Sequence, residues 1–384
     1  MILYNAKIIL EEKVINEGWL EIEDSQIKSI NEGKYKGDGI DLKNKVILPG
    51  FIDCHVHGGY GYDFESSDSA KFSAFAKKIA SEGVTKYCQA TVAQPYDLIE
   101  SSLSNYAIWM NTENKGPQAR QIGAHLEGPF ISEEKRGAHK VEYLKDADKK
   151  VFQKWIKASD KNIRLITYAI ERDKSNFTNF LLKNNVLPSV GHTNTTAKYF
   201  KAEGVDKGVT HVTHLFNAMS GVQQHNPGVA TQSLIDDRVV CELISDGIHV
   251  KEEVIKLIYR SKGFQKIIIV TDAMNAKGMP DGDYKLGPLD VEKHGQKVTL
   301  KGTDILAGSG ATYDHCFRTM KKINDLDYSQ MIYMSSINVS KQLNIFEQTG
   351  SIAVGKLADL VVLDKKDEVY LTITEGEIAF KNNK

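Results

Sequence analysis

Cysteine is scarce in this chain of 384 residues: Cys54, Cys88, Cys241 and Cys316 stand far apart. They form no CxxC pair, which leaves out a disulfide framework and a cysteine-rich zinc site. Isolated thiols suit a reducing compartment, so a cytoplasmic location is expected. No stretch approaches the roughly 18 consecutive apolar residues of a membrane helix. The N-terminus has no basic leader region, and Asn5, Lys7 and Glu11 break its short apolar runs, so it does not read as a signal peptide. Surplus charge is absent too. Against 49 Lys and Arg stand 50 Asp and Glu, a net charge of -1. Neither a nucleic-acid partner nor a solvating acidic tail follows from that balance. There is no internal repeat and no low-complexity segment. The length is ample for a large core and more than one structural unit.

Both ends of the chain read as β-structure. Short apolar or alternating runs lie at 2–10, 19–23 and 27–30, and again at 358–364, 369–374 and 377–380, with turn residues between them. The simplest account is a small β-sandwich domain assembled from 1–48 and 350–384, with 49–349 inserted between them. Inside that insertion, strand and helix patterns alternate. Strands are predicted to end at His57 and to span 84–92, 121–127, 163–170, 186–192, 209–216, 239–245 and 266–272. Helices are predicted between them, for example over 69–81, where Phe72, Phe75, Ala76 and Ile79 recur at helical spacing before Gly83. Eight such units predict an α/β chain folded as a (β/α)8 TIM-type barrel. A β-hairpin insertion is expected near 278–305, and a late helix over 331–344.

A parallel barrel carries its chemistry at the C-terminal ends of its strands. The first strand ends in His55 and His57, which share a face because side chains alternate with period two. The third ends in Glu127, the fifth in His192, the sixth in His214 and the eighth in Asp272. Singly, each has a structural explanation: a buried carboxylate paired with Arg, a core imidazole bonded to a carbonyl, an Asp capping the next helix. Together at one rim they supply what metal-assisted hydrolysis requires, imidazole and carboxylate ligands and a further acid. His211 has the opposite phase and reads as structural. His125 shares the phase of Glu127 and reads as a packed group behind it. His294 and His315 read as solvated or structural.

The chain resembles the amidohydrolase superfamily and, within it, the N-acetylglucosamine-6-phosphate deacetylase family. The resemblance rests on PGFIDCHVHGGYGYDF (49–64), HLEGPFISEEKRGAH (125–139), GHT (191–193), THLFNAM (213–219), DGIHV (246–250), VTDAM (270–274), LAGS (306–309) and GSIAVGKLADLVVLD (350–364), in the family's order along nearly the whole chain. It implies Glu127, His192 and His214 as primary ligands of a divalent metal, zinc or iron, with His55 and His57 able to hold a second ion. It implies Asp272 as catalytic acid and base, and His139 as the group that polarises the acetamide. Ala138, Asn217, Ala218, Asp246, His249, Leu306, Ala307 and Gly308 match substrate loops. It also implies a small amino-sugar substrate and a homodimer in which part of the phosphate grip crosses between subunits.

One departure stands out. Where the family carries an Arg that grips the 6-phosphate, this chain has His225, in His225-Asn226-Pro227-Gly228. Imidazole is only partly charged at pH 7 and offers no bidentate fork. The galacto epimer, or an unphosphorylated N-acetyl amino sugar, therefore stands as the alternative substrate. A cyclic-amide hydrolase of the same superfamily is a weaker rival, because its metal-bridging Lys at the end of the fourth strand has no counterpart: that strand ends Tyr168-Ala169-Ile170-Glu171. A metal-free scaffold should have lost a ligand or the last Asp, and none is missing.

Overall fold

The computed structural model describes residues 1–65 and 68–382; Ser66, Ser67 and the last two residues of the segment expected at 350–384 lie outside the described residues. Eight parallel strands stand side by side in chain order: Phe51–Val56, Val84–Ala90, Arg120–Glu127, Ile163–Tyr168, Leu187–Val190, His211–Val212, Val240–Ile244 and Ile267–Val270. The first and last meet through the Asp272 N–H on the His55 carbonyl at 2.9 Å and the His57 N–H on the Ala273 carbonyl at 2.8 Å. The expected α/β barrel is therefore present. Its helices form as their apolar spacing requires. In Ser69–Ile79, Phe72, Phe75, Ala76 and Ile79 are buried, and the Asp68 carboxylate caps the start by accepting the Lys71 N–H.

Strand periodicity sorts residues between two cores. Outward residues such as Phe51, Val84, Leu126 and Ile269 join the large cluster beneath the helices. Inward residues such as Ile52, Leu165, Val240, Ile268 and Val270 form a separate cluster, which Val339, Leu343 and Ile345 join from the last helix and its exit. The barrel interior is thus packed with apolar side chains beneath the donors at its mouth.

A second sheet of seven strands takes its members from both termini. Ile40–Pro49 lies at its centre, parallel to Ile2–Ile9 and antiparallel to Leu360–Leu363. Leu360 and Val362 face a core of the sheet's own, while Val361 and Leu363 face the barrel's. Buried Lys86 and Arg120 on the barrel strands bind Glu375 of this sheet at 2.6 and 2.9 Å.

Several barrel strands stop about two residues short of the predicted ends, so His192 and Asp272 lie just past their strands, and the larger differences are these. The apolar run 46–57 is two strands in two sheets, divided at Gly50. A Cβ there would lie 2.3 Å from Thr85, so only glycine lets the chain pass between the sheets. The sixth strand has just two residues in a regular ladder, His211–Val212, although the Thr213 and Leu215 N–H groups still bind the Val190 and Glu242 carbonyls on either side of the turn at His214. The insertion is a three-stranded antiparallel sheet, Gly282–Leu286, Leu289–His294 and Lys297–Leu300, rather than a hairpin. The late helix runs from Tyr328 to Gln342 with a π turn at Tyr333–Ile337.

Candidate active site

Strand ends separated by more than two hundred positions in the chain deliver their polar side chains to one point in the barrel mouth. His214 Nε2 is 3.1 Å from His192 Nε2 and 3.1 Å from Glu127 Oε1, and His192 Nε2 is 3.3 Å from the same oxygen. Donors bound at about 2.0–2.2 Å around one tetrahedral ion stand roughly 3.3–3.6 Å apart, so this triangle is close to a ready coordination face. The His192 Nδ1–H donates to the Lys135 carbonyl at 2.8 Å, which leaves its Nε2 lone pair directed at the triangle. Beside it, His57 Nε2 lies 3.3 Å from Glu127 Oε2 and 3.1 Å from Asp272 Oδ1. His55 Nε2 lies 3.4 Å from Glu127 Oε1 and 3.5 Å from Asp272 Oδ1. His55 Nε2 and Asp272 Oδ1 are both buried with no hydrogen-bond partner. Buried, unpartnered, convergent donors of this kind fit a divalent cation, and the set is able to hold one.

The backbone turns sharply where these side chains sit. His192, His214 and Asp272 take positive φ values of 47°, 26° and 49°. Non-glycine residues held there cost about 1–3 kcal/mol each and occur where packing over-determines them, commonly at functional sites. The turn folds each side chain back over the barrel mouth immediately past the strand.

Charge explains the rest. Glu127, Asp272 and Glu242 are three buried carboxylates among imidazoles. Burial works against a proton on His55, but Glu127, Glu242 and Asp272 outweigh it and lift its pKa to about 9. Burial likewise opposes His57, and the Asp272 and Glu127 carboxylates raise it well above the ordinary value. His192, by contrast, is pushed down to about 4, chiefly by burial. The cluster thus takes up either protons or a metal cation, and loading an ion must displace the protons of His55 and His57. Titrating Zn²⁺ into chelator-stripped protein at pH 7 should release protons, about two per chain when both histidines bind, and affinity should rise with pH by up to about tenfold per unit for each proton displaced. Calorimetry in buffers of different ionisation enthalpy reads this directly; binding with no proton release would show that these imidazoles were neutral beforehand.

Above the donors lies a cavity of about 280 Å³. His57, Glu127, His192, His214 and Asp272 line its floor; His139, His249, Asn217, Ala218, Ala138 and Leu306–Gly308 line its sides. Leu286 and Leu289, from the three-stranded insertion, join Val92 and Ile305 as an apolar wall. His139 Nδ1 accepts the Ala93 N–H at 3.2 Å, which places the proton of the neutral ring on Nε2, 3.4 Å from Glu127 Oε2. His249 donates Nδ1–H to Asp246 at 2.7 Å, and Asp246 also accepts the N–H groups of Ile248 and His249. Asp246 accordingly stands behind His249 rather than on the cavity wall. His225 is not brought to the cavity at all: it lies exposed in the loop 221–226.

His125 and His211 sit below the site, bonded to Thr167 Oγ1 at 2.7 Å and Ser189 Oγ at 2.8 Å. The residue that sequence reading passed over is Glu242. It is fully buried at mid-strand, and its Oε2 is 3.0 Å from His55 Nδ1. Burial works against its charge, but His55 prevails and lowers its pKa to about 2. The available signal was an acid inside an apolar strand, Val239-Val240-Cys241-Glu242-Leu243-Ile244, at the inward phase.

The model of the amidohydrolase family matches residues 46–379. The N-acetylglucosamine-6-phosphate deacetylase of Bacillus subtilis (strain 168) is 34% identical over 99% of this chain and 97% of its own length. The N-acetylgalactosamine-6-phosphate deacetylase of Escherichia coli O157:H7 is 30% identical over 98% of this chain and 99% of its own. Among solved structures, an Asp-to-Ala variant of N-acetyl-D-glucosamine-6-phosphate deacetylase from Mycobacterium smegmatis, in complex with N-acetyl-D-glucosamine-6-phosphate, superposes with a TM-score of 0.93, 30% identity and 99% coverage of both chains. Fold, rim of donors and full-length similarity agree, and the chain belongs to the amidohydrolase family.

Proposed function

We propose that this protein is a metal-dependent deacetylase that hydrolyses N-acetylglucosamine 6-phosphate to glucosamine 6-phosphate and acetate. The observation that carries the reading is the triangle of Glu127, His192 and His214 with Asp272 facing it across the cavity floor. Full-length similarity to deacetylases supports the substrate class.

Glu127, His192 and His214 would hold one divalent ion, and His55 and His57, with Glu127 and Asp272 between, a second; imidazole and carboxylate donors suit zinc or iron. When bound, such an ion lowers the pKa of its water towards neutrality and draws charge from the amide carbonyl. The protein's own groups do the rest. Asp272 stays ionised because, although burial opposes its charge, His55 and His57 lower its pKa. It is thus a base at neutral pH, placed to take the proton of the attacking water. It then returns that proton to the amine nitrogen, a poor leaving group without it. His139, with its proton on Nε2, donates to the oxygen that gains charge in the tetrahedral intermediate. Backbone at Leu306–Gly308, with Asn217, Ala218 and His249, forms the walls that orient the sugar.

Acetate release from N-acetylglucosamine and N-acetylgalactosamine, each with and without 6-phosphate, tests the assignment. The gluco 6-phosphate should show the highest kcat/KM. A preference for the galacto epimer, the substrate named for the Escherichia coli relative, would move the sugar but not the chemistry. No acetate from any of the four, with metal supplied, would end the reading.

His225 bears on the phosphate. It stands off this chain's cavity, and the homodimer that the family resemblance implies, with part of the phosphate grip crossing between subunits, is the arrangement in which it would reach a phosphate. His225→Arg would restore a charged fork and should lower KM for the 6-phosphate about tenfold, or ~1.4 kcal/mol, with kcat unchanged. An unaltered KM removes His225 from phosphate recognition. Among the described residues no helix is long and apolar enough to cross a membrane, and four free, buried cysteines suit the cytoplasm we expect.

A further inference from the structure

We infer that Glu242 is a positioning residue: it fixes the His55 ring with Nε2 turned into the cavity floor, and thereby makes a second metal locus. The inference rests on the reading of the floor as a metal centre. Glu242 has no solvent exposure. Its Oε2 accepts the Nδ1–H of His55 at 3.0 Å and the backbone N–H of His214 at 3.2 Å; its Oε1 accepts the Cys54 thiol at 3.6 Å. With Nδ1–H committed to Glu242, the ring nitrogen of His55 left to give up its proton to an ion is Nε2, which has no hydrogen-bond partner and lies 3.4 Å from Glu127 Oε1 and 3.5 Å from Asp272 Oδ1.

The other three imidazoles of the floor are held differently. His192 donates Nδ1–H to a neutral carbonyl, while Nδ1 of His57 and of His214 has no hydrogen-bond partner. His55 alone is oriented by a carboxylate, the arrangement that fixes tautomer and raises ligand basicity in metal sites. Among the described residues Glu242 is the partner of His55 Nδ1. His125 packs against the His55 ring with centroids 4.3 Å apart, but its nitrogens face the Cys54 carbonyl and the Thr167 hydroxyl. The same carboxylate holds the backbone of His214, so one side chain on the seventh strand sets a donor from the first strand and the base of a donor from the sixth.

A residue that merely filled the barrel would not alter how many ions are held. The test is metal content per chain of reconstituted holoenzyme after dialysis at fixed free Zn²⁺, with visible absorption of the Co²⁺-loaded protein alongside. Wild type should hold two ions. Glu242→Gln should keep the ion of Glu127, His192 and His214 and bind the other about 10–100-fold more weakly, so that one ion survives dialysis. His55→Gln should give the same one-ion state, and the double variant no further loss, since both substitutions remove a single interaction. Should Glu242→Gln fail to fold, Glu242→Asp serves, because the shorter carboxylate keeps the charge and loses the reach. Two ions bound at wild-type affinity in a folded Glu242 variant overturns the assignment. A wild type holding one ion that His55→Gln leaves unaffected overturns the second locus itself, and the assignment with it.

Discussion

Asp272→Asn is expected to lower kcat by about 10³–10⁴-fold while the protein folds and keeps its ion at Glu127, His192 and His214. The substitution keeps the shape and removes the capacity to take and return a proton; an ion held with His55 and His57 also loses a charged donor, so the ion of Glu127, His192 and His214 is the one expected to stay. Two steps fail at once, since the attacking water and the departing amine use the same carboxylate. Asp272 is suited to both because of where it sits. Its N–H closes the barrel on the His55 carbonyl at 2.9 Å, and its positive φ of 49° turns the carboxylate onto the cavity floor. Single-turnover acetate release, with metal content measured on the same sample, checks the expectation. Turnover near the wild-type rate would mean that another group moves the proton.

Glu127→Gln should have the second large effect, on metal rather than on proton transfer. The Glu127 carboxylate lies within 3.1–3.4 Å of His55, His57, His139, His192 and His214. It is the only anion in the triangle with His192 and His214 and it also faces His55 and His57, so its charge serves both loci. Its loss should weaken ion binding by more than about 100-fold, the upper end of what groups behind the ligands contribute. Deacetylation should fall with it. The imidazoles would also lose their counter-charge, so fewer protons should be released when metal is added to the variant than to the wild type. Calorimetric titration separates the outcomes: wild-type affinity in Glu127→Gln would remove this carboxylate from the coordination face.

Much of the arrangement was legible because barrels obey short-range rules. Period-two alternation gives His55 and His57 one face, and the 3.6-residue stripe of Phe72, Phe75, Ala76 and Ile79 writes out a helix. Placing Glu127, His192, His214 and Asp272 at one rim needs only the strand count and the rule that chemistry sits at strand ends. What escaped is what depends on neighbours distant in sequence. The division of the chain near residue 48 was readable, but the close approach of Thr85 that demands Gly50 at the crossing between the two sheets was not. The sixth strand looks long in the apolar run 209–216, yet its regular ladder covers only His211–Val212; beyond it the Thr213 and Leu215 N–H groups still reach the Val190 and Glu242 carbonyls while the backbone turns to positive φ at His214. Asp246 reads as a substrate contact in DGIHV, but its carboxylate is consumed in holding His249.

The sequence alone determined the chemistry available: which residues can donate to a cation or move a proton, and at which end of which strand they lie. That information is local, carried by residue type and spacing. The tertiary structure decided which nitrogen of each imidazole faces the site, since that depends on the partner of the other nitrogen. For His55 this partner is Glu242, 187 residues away, and for His192 it is the Lys135 carbonyl, 57 residues away. It also decided that His192, His214 and Asp272 adopt positive φ, an uncommon conformation for residues with a Cβ.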